Sequence, residues 1–273
     1  MLRCGKFSLS LDRPLVMGIV NLTPDSFSGD GLANDTERAI AHARHQIDAG
    51  ADMLDLGAES SRPGAQPTSL EDELARLLPV LAGLADCDVP LSVDTYKPEV
   101  MRAALAAGAS MINDIYGLRM PGVLDVVAAS DCGICLMHMQ GEPLTMQQAP
   151  FYSGDVVSEV NSFLAARVEA MIAAGVNRDR LVLDPGFGFG KALEHNLDLL
   201  RRLDECTVDN LPLLAGMSRK TMLGAITGRS VDQRVAASVA AALLAAQRGA
   251  RILRVHDVAD TRDALAVWQA ITS

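Results

Sequence analysis

Positive charge is scarce in this chain of 273 residues, which has 24 lysines and arginines against 34 aspartates and glutamates. The formal charge of −10 disfavours a general nucleic-acid binder, because such proteins need a basic surface. The five cysteines are too few and too scattered for a disulfide framework, and their number is odd. We therefore expect a protein of a reducing compartment.

The chain also lacks a long apolar run. Its longest nearly apolar stretch covers only residues 235–246, whereas a membrane span needs about 20 residues. A secretory leader is not apparent, because Asp12 and Arg13 interrupt the N-terminal region before an apolar segment develops. With 49% hydrophobic and 21% charged residues, the composition is that of an ordinary globular protein. We expect a cytoplasmic protein with no membrane or nucleic-acid partner.

Short apolar runs alternate with longer segments of helical character from end to end. Strands are predicted at residues 15–21, 53–59, 91–95, 111–115, 133–139, 181–187, 213–219 and 251–256. Helices are predicted at residues 36–49, 70–85, 98–107, 121–130, 155–174, 196–205, 232–247 and 258–271. A weak repeat supports this order, because AGADMLDLG, AGASMINDI and RGARILRVH each lead from a helix-ending glycine into an apolar strand.

Repetition of strand, helix and parallel strand around the chain is typical of a (β/α)8 barrel. Such barrels use roughly 250 residues as one domain, so we predict a single α/β domain, a TIM barrel, over residues 1–273. An open doubly wound sheet is the alternative, but its first strand is normally followed by a glycine-rich turn. Here the first predicted strand ends in Asn21-Leu22-Thr23-Pro24, which is not a dinucleotide-binding turn.

Polar side chains end or directly follow the predicted strands. They include Asn21, Glu59, Asp94, Asn113, Asp184, Lys220, Arg254 and His256. On one strand, such a residue would be interpreted as a helix cap or a plug of the barrel. Because they recur on strand after strand, and the carboxyl ends of barrel strands meet at one mouth, a shared site is the better interpretation.

The residue types at these strand ends indicate a ligand with two parts. Acceptor groups on Asp94, Asn113 and Asp184 suit a neutral heterocycle that presents N–H donors, such as an aminopyrimidine edge. The second group follows strands seven and eight, where barrels commonly bind phosphate. Its members are Lys220, Arg254 and His256. The pattern therefore predicts a heterocycle slot beside an anion site.

Eight short segments carry these residues. They are NLTPDSFS at 21–28, ESSRPGA at 59–65, VDTYKPEV at 93–100, INDI at 112–115, LMHMQG at 136–141, LDPGFGFGK at 183–191, GMSRK at 216–220 and RVHDV at 254–258. In this order, across nearly the whole chain, they resemble the dihydropteroate synthase family. One such segment would be a weak indication, but eight in family order are highly specific.

The resemblance implies an enzyme of folate synthesis. Such an enzyme joins 4-aminobenzoate to 6-hydroxymethyl-7,8-dihydropterin pyrophosphate and releases pyrophosphate. The resemblance also implies Mg²⁺ as cofactor and a homodimer. Since no nucleophile–base pair is evident in the sequence and an aromatic amine is already nucleophilic, we expect a dissociative displacement.

The resemblance assigns roles residue by residue. The pterin ring would be held by Asp94, Asn113, Asp184 and Lys220. The pyrophosphate would be held by Asn21, Arg254 and His256, with Asn21 also placing the metal. The aminobenzoate site would comprise Ser61, Arg62, Pro63, Phe189, Lys220 and Thr221. The residues expected to take part in catalysis are Asp25, Arg62, Asp94, Lys220 and Arg254. Loops 23–35 and 60–69 would close over the reactants, and the role of His138 stays open.

Two other interpretations of the same residues are available. A methyltetrahydrofolate-dependent methyltransferase would share the acceptor-lined pterin pocket, but it would not need Arg62 or the Arg254 and His256 pair. A paralogue that binds pterin without catalysis would not need these residues together with Asn21, Asp25 and Lys220. Their presence favours the synthase interpretation.

Overall fold

The computed structural model describes residues 1–23, 35–60 and 64–272. The strands are β1 (Leu2–Cys4), β2 (Phe7–Leu9), β3 (Leu15–Asn21), β4 (Met53–Gly57), β5 (Leu91–Asp94), β6 (Met111–Asp114), β7 (Gly133–Met137), β8 (Leu181–Asp184), β9 (Leu213–Ala215) and β10 (Ala250–Val255). The helices are α1 (Thr36–Asp48), α2 (Leu70–Gly83), α3 (Pro98–Ala106), α4 (Val123–Ala128), α5 (Val156–Ala173), α6 (Leu193–Arg201), α7 (Thr221–Thr227), α8 (Val235–Gln247) and α9 (Val258–Thr272). In the described part of the chain, no helix is long and apolar enough to cross a membrane.

Strands β3 to β10 form a closed parallel barrel, in which each strand pairs with the next along the chain and β10 closes on β3. This architecture confirms the predicted (β/α)8 TIM barrel. All eight predicted strands are present, but four of them end two to four residues earlier than the apolar pattern indicated. The pattern continued past the last ladder hydrogen bond because residues at the barrel rim remain buried. For example, β8 ends at Asp184 and the chain turns at Gly186, whose φ is +72°.

Three of these strands and helices were not predicted. Strands β1 and β2 form an antiparallel hairpin before the barrel, and each has only three residues, too few to show a period-two pattern. Leu2 and Cys4 of this hairpin are fully buried against the side chains inside the barrel, so the hairpin closes its amino-terminal end. Helix α7 is the third unpredicted element, a short helix between β9 and α8.

The side chains inside the barrel are apolar toward its amino-terminal end and polar at its carboxyl end. The lower, apolar layer belongs to the cluster of Leu15, Met17, Met53, Met111, Cys135, Val182, Leu214 and Ile252. Side chains alternate between the two faces of a strand, so residues two positions later on the same strands point inward again. On β4, β6, β8 and β10 these are Asp55, Asn113, Asp184 and Arg254. The apolar layer is therefore the floor beneath a polar layer at the carboxyl end.

A buried ion cluster joins β4, α2 and α3 beside this polar layer. The Lys97 ammonium, just before α3, donates to Glu59 after β4 and to Glu73 of α2, the latter at 2.5 Å. Thr95 Oγ1 donates to Glu73 Oε1 at 2.6 Å, and Lys97 Nζ donates to the Thr68 carbonyl at 2.8 Å. Burial raises the pKa of Glu73, and Lys97 opposes that rise. Lys97 thus bridges two carboxylates beside the segment leading into α2, and its single positive charge balances one of them.

We expect Lys97→Met to lower the free energy of unfolding by about 3 kcal/mol at pH 8, because it leaves Glu73 charged, buried and unpaired. The loss should be smaller at pH 5. A carboxyl group whose pKa is raised by folding contributes stability at low pH, and that contribution is lost as the pH rises from the unfolded pKa of about 4.3 through the folded pKa. Without Lys97 the pKa of Glu73 in the folded protein rises further. Glu73 of the variant is therefore protonated more readily at pH 5. Urea unfolding at both pH values measures the difference.

The double variant Lys97→Met, Glu73→Gln is the matched control. It removes the titrating carboxyl group, so most of the extra pH dependence should disappear. Equal losses for Lys97→Met at pH 5 and pH 8 would contradict the assignment of Lys97 to Glu73.

Candidate active site

A cavity of about 970 Å³ opens at the carboxyl ends of the barrel strands. It brings together all the predicted site residues that the structure describes, namely Asn21, Asp94, Asn113, Asp184, Phe189, Lys220, Thr221, Arg254 and His256. The predicted residues Asp25, Ser61, Arg62 and Pro63 lie outside the described residues. Thr23 and Ser60, each at the edge of a described range, also line the cavity. Residues far apart in sequence therefore share one mouth.

One side of the cavity presents hydrogen-bond acceptors. Asp184, at the end of β8, is 5% exposed, and its Oδ1 accepts from the Gly186 backbone N–H at 2.7 Å. Burial raises the pKa of Asp184, and the nearby Lys220 lowers it. Burial also raises the pKa of Asp94, at the end of β5, to about 7, although Arg254 opposes the rise. These carboxyl groups need a hydrogen-bond donor or a cation to remain charged in this cavity.

Asp55 is a functional candidate that the sequence interpretation missed. It lies in the middle of β4, is completely buried, and accepts from Asn113 Nδ2 at 3.1 Å through Oδ2. Because the Asn113 nitrogen is committed to Asp55, Asn113 Oδ1 is the free end of the amide, and this buried atom has no hydrogen-bond partner in the described residues. The feature that could have indicated Asp55 is a lone carboxylate inside the apolar strand MLDLG.

Arg254 joins the acceptor side to the anion side. Its Nε donates to Asp55 Oδ2 at 2.6 Å and one terminal nitrogen donates to Asp94 Oδ2 at 3.1 Å. Burial disfavours the charged guanidinium, but Asp55 and Asp94 outweigh burial and raise the pKa of Arg254 above its ordinary value. The sequence placed Arg254 with the anion site alone, whereas the structure places its guanidinium against two carboxylates of the polar layer.

His256 and Asn21 lie on neighbouring parts of the rim, because β10 pairs with β3. The His256 ring nitrogen Nδ1 is 2.9 Å from Ser218 Oγ, and the His256 backbone N–H donates to the same oxygen at 3.2 Å. This pairing was not predicted from the sequence, and it orients the imidazole at the end of β10. Asn21 ends β3 and presents a neutral amide at the cavity.

Lys220 lies between the acceptor side and an aromatic wall. Its ammonium is 4.7 Å from the centroid of the Phe189 ring and donates to the Phe187 carbonyl. Burial lowers the pKa of Lys220 to about 8, and Asp184 opposes this shift. Thr221 follows directly as the first residue of α7. Lys220, Phe189 and Thr221 therefore present a cation, an aromatic face and a hydroxyl to the same region of the cavity.

Lys191 is a second residue that the sequence interpretation did not assign, and it lines the cavity. It is 2% exposed and its Nζ lies 2.9 Å from His138 Nδ1. The sequence left the role of His138 open, and the structure shows that it contacts this buried lysine. The only available indication was position, because Lys191 directly follows the GFGFG segment.

No group of three or more His, Cys, Asp or Glu side chains within residues 1–23, 35–60 and 64–272 is placed to hold a metal ion. Asn21 could contribute one amide oxygen from the rim of the cavity. A magnesium ion with octahedral coordination would need most of its ligands from water or from an anionic substrate.

Comparison with known proteins agrees with this geometry. Residues 17–256 match the model of the family described as pterin binding enzyme. The chain is 49% identical over 267 residues to dihydropteroate synthase of Escherichia coli (strain K12), covering 97% of this chain and 94% of that protein.

Two solved structures are similarly close. Burkholderia cenocepacia dihydropteroate synthase complexed with 7,8-dihydropteroate has a TM-score of 0.91 and 53% identity, covering 99% of this chain and 95% of that one. Xanthomonas albilineans dihydropteroate synthase with 4-aminobenzoic acid has a TM-score of 0.90 and 55% identity, covering 97% of this chain and 95% of that one. With this degree of similarity over nearly its whole length, the chain belongs to the dihydropteroate synthase family of pterin-binding enzymes.

Proposed function

We propose that this chain condenses 6-hydroxymethyl-7,8-dihydropterin pyrophosphate with 4-aminobenzoate, giving 7,8-dihydropteroate and pyrophosphate in folate synthesis. The observation that carries the proposal is one cavity with buried acceptors on one side, cations beside them and an aromatic wall. Relatives about 50% identical to this chain bind 7,8-dihydropteroate and 4-aminobenzoic acid. Both of these ligands match the chemistry of the cavity.

Asp94, Asn113 and Asp184 form the proposed pterin slot. An aminopyrimidine edge presents N–H donors, and these three side chains present oxygen acceptors that are mostly buried. The unpartnered Asn113 Oδ1 supports this assignment, because a buried polar atom without a partner costs free energy until a donor reaches it. Lys220 would donate to an acceptor atom of the same ring.

Asn21, Arg254 and His256 form the proposed pyrophosphate site. A guanidinium suits phosphate oxygens because it presents several N–H donors in a planar fork. Arg254 uses its Nε and one terminal nitrogen on Asp55 and Asp94. When the pterin engages Asp94, Asp55 would continue to hold the guanidinium next to the leaving group.

Mg²⁺ would accompany the pyrophosphate. The described residues offer the Asn21 amide oxygen but no cluster of metal-ligating side chains, which fits a metal held largely by pyrophosphate oxygens and water. When bound, the ion would supply positive charge to the departing pyrophosphate.

Phe189, Lys220 and Thr221 form the described part of the proposed aminobenzoate site. The Phe189 ring provides an apolar face, and Lys220 and Thr221 provide groups that can interact with a carboxylate. The predicted contributions of Ser61, Arg62 and Pro63 stay predictions, as does a catalytic role for Asp25. The closure of loops 23–35 and 60–69 over the reactants also stays a prediction.

The proposed reaction forms one bond and breaks another. The amine nitrogen of 4-aminobenzoate forms a C–N bond with the methylene carbon and loses one proton, while the C–O electron pair leaves with the pyrophosphate. In a dissociative order the C–O bond breaks first, and the dihydropterin ring nitrogens share the positive charge left on the methylene. Asp94 would stabilise that cation electrostatically, and Arg254 would stabilise the leaving group.

A second copy of this chain is the proposed macromolecular partner, and the cytoplasm is the proposed location. Helix α8 is apolar on nearly all sides, and part of that apolar surface remains outside, since Leu244 is 40% exposed. Exposed helices rarely have such a composition, so α8 is the surface on which we place the homodimer contact.

The purified protein should release pyrophosphate and form 7,8-dihydropteroate in equal amounts when given both substrates and Mg²⁺. Release coupled to a pyrophosphatase assay, with the pteroate product quantified by chromatography, measures both. Omission of either substrate should stop net turnover. Binding of the pterin without any product would support a non-catalytic paralogue, and methyl transfer from methyltetrahydrofolate would support the methyltransferase interpretation.

If the displacement is dissociative, the protein should exchange labelled pyrophosphate into the pterin substrate without aminobenzoate, because the cation can recapture pyrophosphate. The label in the re-isolated pterin substrate measures this exchange. An enzyme that forms product normally but shows no exchange would instead attack directly.

Asp184→Asn should weaken binding of the pterin substrate by about 1–3 kcal/mol, because a charge-assisted acceptor becomes a neutral amide. Isothermal titration calorimetry measures the affinity directly. Asp179→Asn is the matched control, since Asp179 is exposed and lies before the other end of β8. Equal pterin affinity for wild type and Asp184→Asn would remove Asp184 from the proposed slot.

A further inference from the structure

The segment between β8 and α6 folds around the buried ammonium of Lys191. Lys191 Nζ lies 2.9 Å from His138 Nδ1, 2.9 Å from the Gly186 carbonyl oxygen and 3.1 Å from the Phe189 carbonyl oxygen. An ammonium has three donors and no acceptor, so these three acceptors match its full hydrogen-bonding capacity. The same segment carries the Phe189 ring that lines the cavity.

If the side chain at position 191 only had to fill space, an apolar residue would be more stable there, because burial of the lysine charge costs free energy. Burial and, to a smaller extent, the neighbouring Lys220 lower the pKa of Lys191 to about 7, although Asp184 opposes both. Burial and Lys191 together lower the pKa of His138 to about 2, so His138 is a neutral imidazole whose Nδ1 can accept. The ammonium is therefore held by dipoles and by Asp184, at a cost in stability.

On the side facing the chain after β7, close backbone contacts determine the path of this segment. A Cβ on Gly186 would lie 1.9 Å from the His138 carbonyl oxygen, and a Cβ on Gly190 would lie 2.1 Å from the Gln140 carbonyl oxygen. Both glycines have positive φ, at +72° and +65°. The segment thus lies directly against the chain after β7, and Lys191 binds it from within.

Asn196 of α6 holds the same segment at three further points. Its Oδ1 accepts from the Gly188 backbone N–H at 2.7 Å, and its Nδ2 donates to the Lys191 and Ala192 carbonyls at 3.1 and 2.7 Å. None of these contacts reaches Phe189. Lys191 binds the Phe189 carbonyl itself and also the Gly186 carbonyl, which accepts from the Phe189 N–H at 3.1 Å.

We propose that Lys191 is a positioning residue for the aminobenzoate site: its ammonium holds the Phe189 carbonyl and thereby sets the ring against which the aromatic substrate packs. This inference rests on the proposed function and extends it to a residue that does not itself touch the reacting atoms. The cation–π contact between Phe189 and Lys220 depends on the same placement, so Lys191 also affects how Lys220 faces the substrate.

Lys191→Met keeps the length and apolar stem of the side chain and removes its donors. We expect the KM for 4-aminobenzoate to rise about tenfold, as for the loss of one charge-assisted hydrogen bond. The KM for the pterin substrate should rise less, by no more than about threefold on the same scale. Asp94 and Asn113 do not contact this segment, and Asp184 keeps its hydrogen bond from the Gly186 backbone N–H. Phe189→Leu should likewise raise the KM for 4-aminobenzoate more than the KM for the pterin substrate.

Arg180→Met is the matched control. Arg180 is also a buried cation that donates to backbone carbonyls, those of Cys132 and Val127, both at 2.8 Å. It lies directly before β8, at the end of the barrel away from the cavity. Arg180→Met should lower the thermal midpoint like Lys191→Met but leave the ratio of the two KM values unchanged.

Lys191→Gln provides a partial rescue, because its amide retains donors for the two carbonyls. Its KM for 4-aminobenzoate should lie between those of wild type and Lys191→Met. Should Lys191→Met fail to fold, Lys191→Gln carries the same comparison with Arg180→Met. A parallel rise of both KM values, or an unchanged KM for 4-aminobenzoate, would overturn the positioning role. Failure of the proposed function would appear differently, as a wild-type protein that forms no 7,8-dihydropteroate.

Discussion

Mutual neutralisation of buried charges is the constraint on which the site depends. Arg254 lies between Asp55 and Asp94 at the carboxyl end of the barrel, and all three side chains are mostly buried. Removal of one member of such a set leaves an uncompensated buried charge, which is strongly destabilising. The ion pairs of Arg254 with Asp55 and Asp94 therefore link β4, β5 and β10 and hold the guanidinium in place.

Asp55 of this group also determines which hydrogen-bonding atom of Asn113 faces the cavity. Asp55 engages the nitrogen of the Asn113 amide, and this leaves the amide oxygen as an acceptor. Asp55 does not line the cavity, but it thereby orients the amide of Asn113, which does. The apolar floor below, formed by residues such as Met53 and Met111, keeps the polar layer at the rim. The polar layer thus presents acceptors such as Asn113 Oδ1 to the cavity, above an apolar floor.

A second arrangement of buried charge shapes the aromatic side of the cavity. Lys191 and Lys220 bond to backbone carbonyls on the same short segment, those of Phe189 and Phe187 respectively. The glycines of this segment allow it to approach the chain after β7 more closely than any residue with a Cβ could. Cations inside and beside the segment thus add to the hydrophobic packing of Phe187, which belongs to the core.

Local chain geometry made much of the fold and site predictable. Apolar periodicity and the Gly-Ala repeat indicated the order of strands and helices, and the strand ends indicated Asp94, Asn113, Asp184 and Arg254. The three-residue strands of the N-terminal hairpin were too short to show a period. Asp55 and Lys191 escaped notice because their roles depend on partners 199 and 53 residues away in the chain. By itself, then, the sequence determined the succession of elements and which polar residues reach the barrel rim, since both depend on neighbours along the chain. Only the tertiary structure decided which charges neutralise one another, because closure of β10 on β3 is what brings those distant side chains within hydrogen-bonding distance.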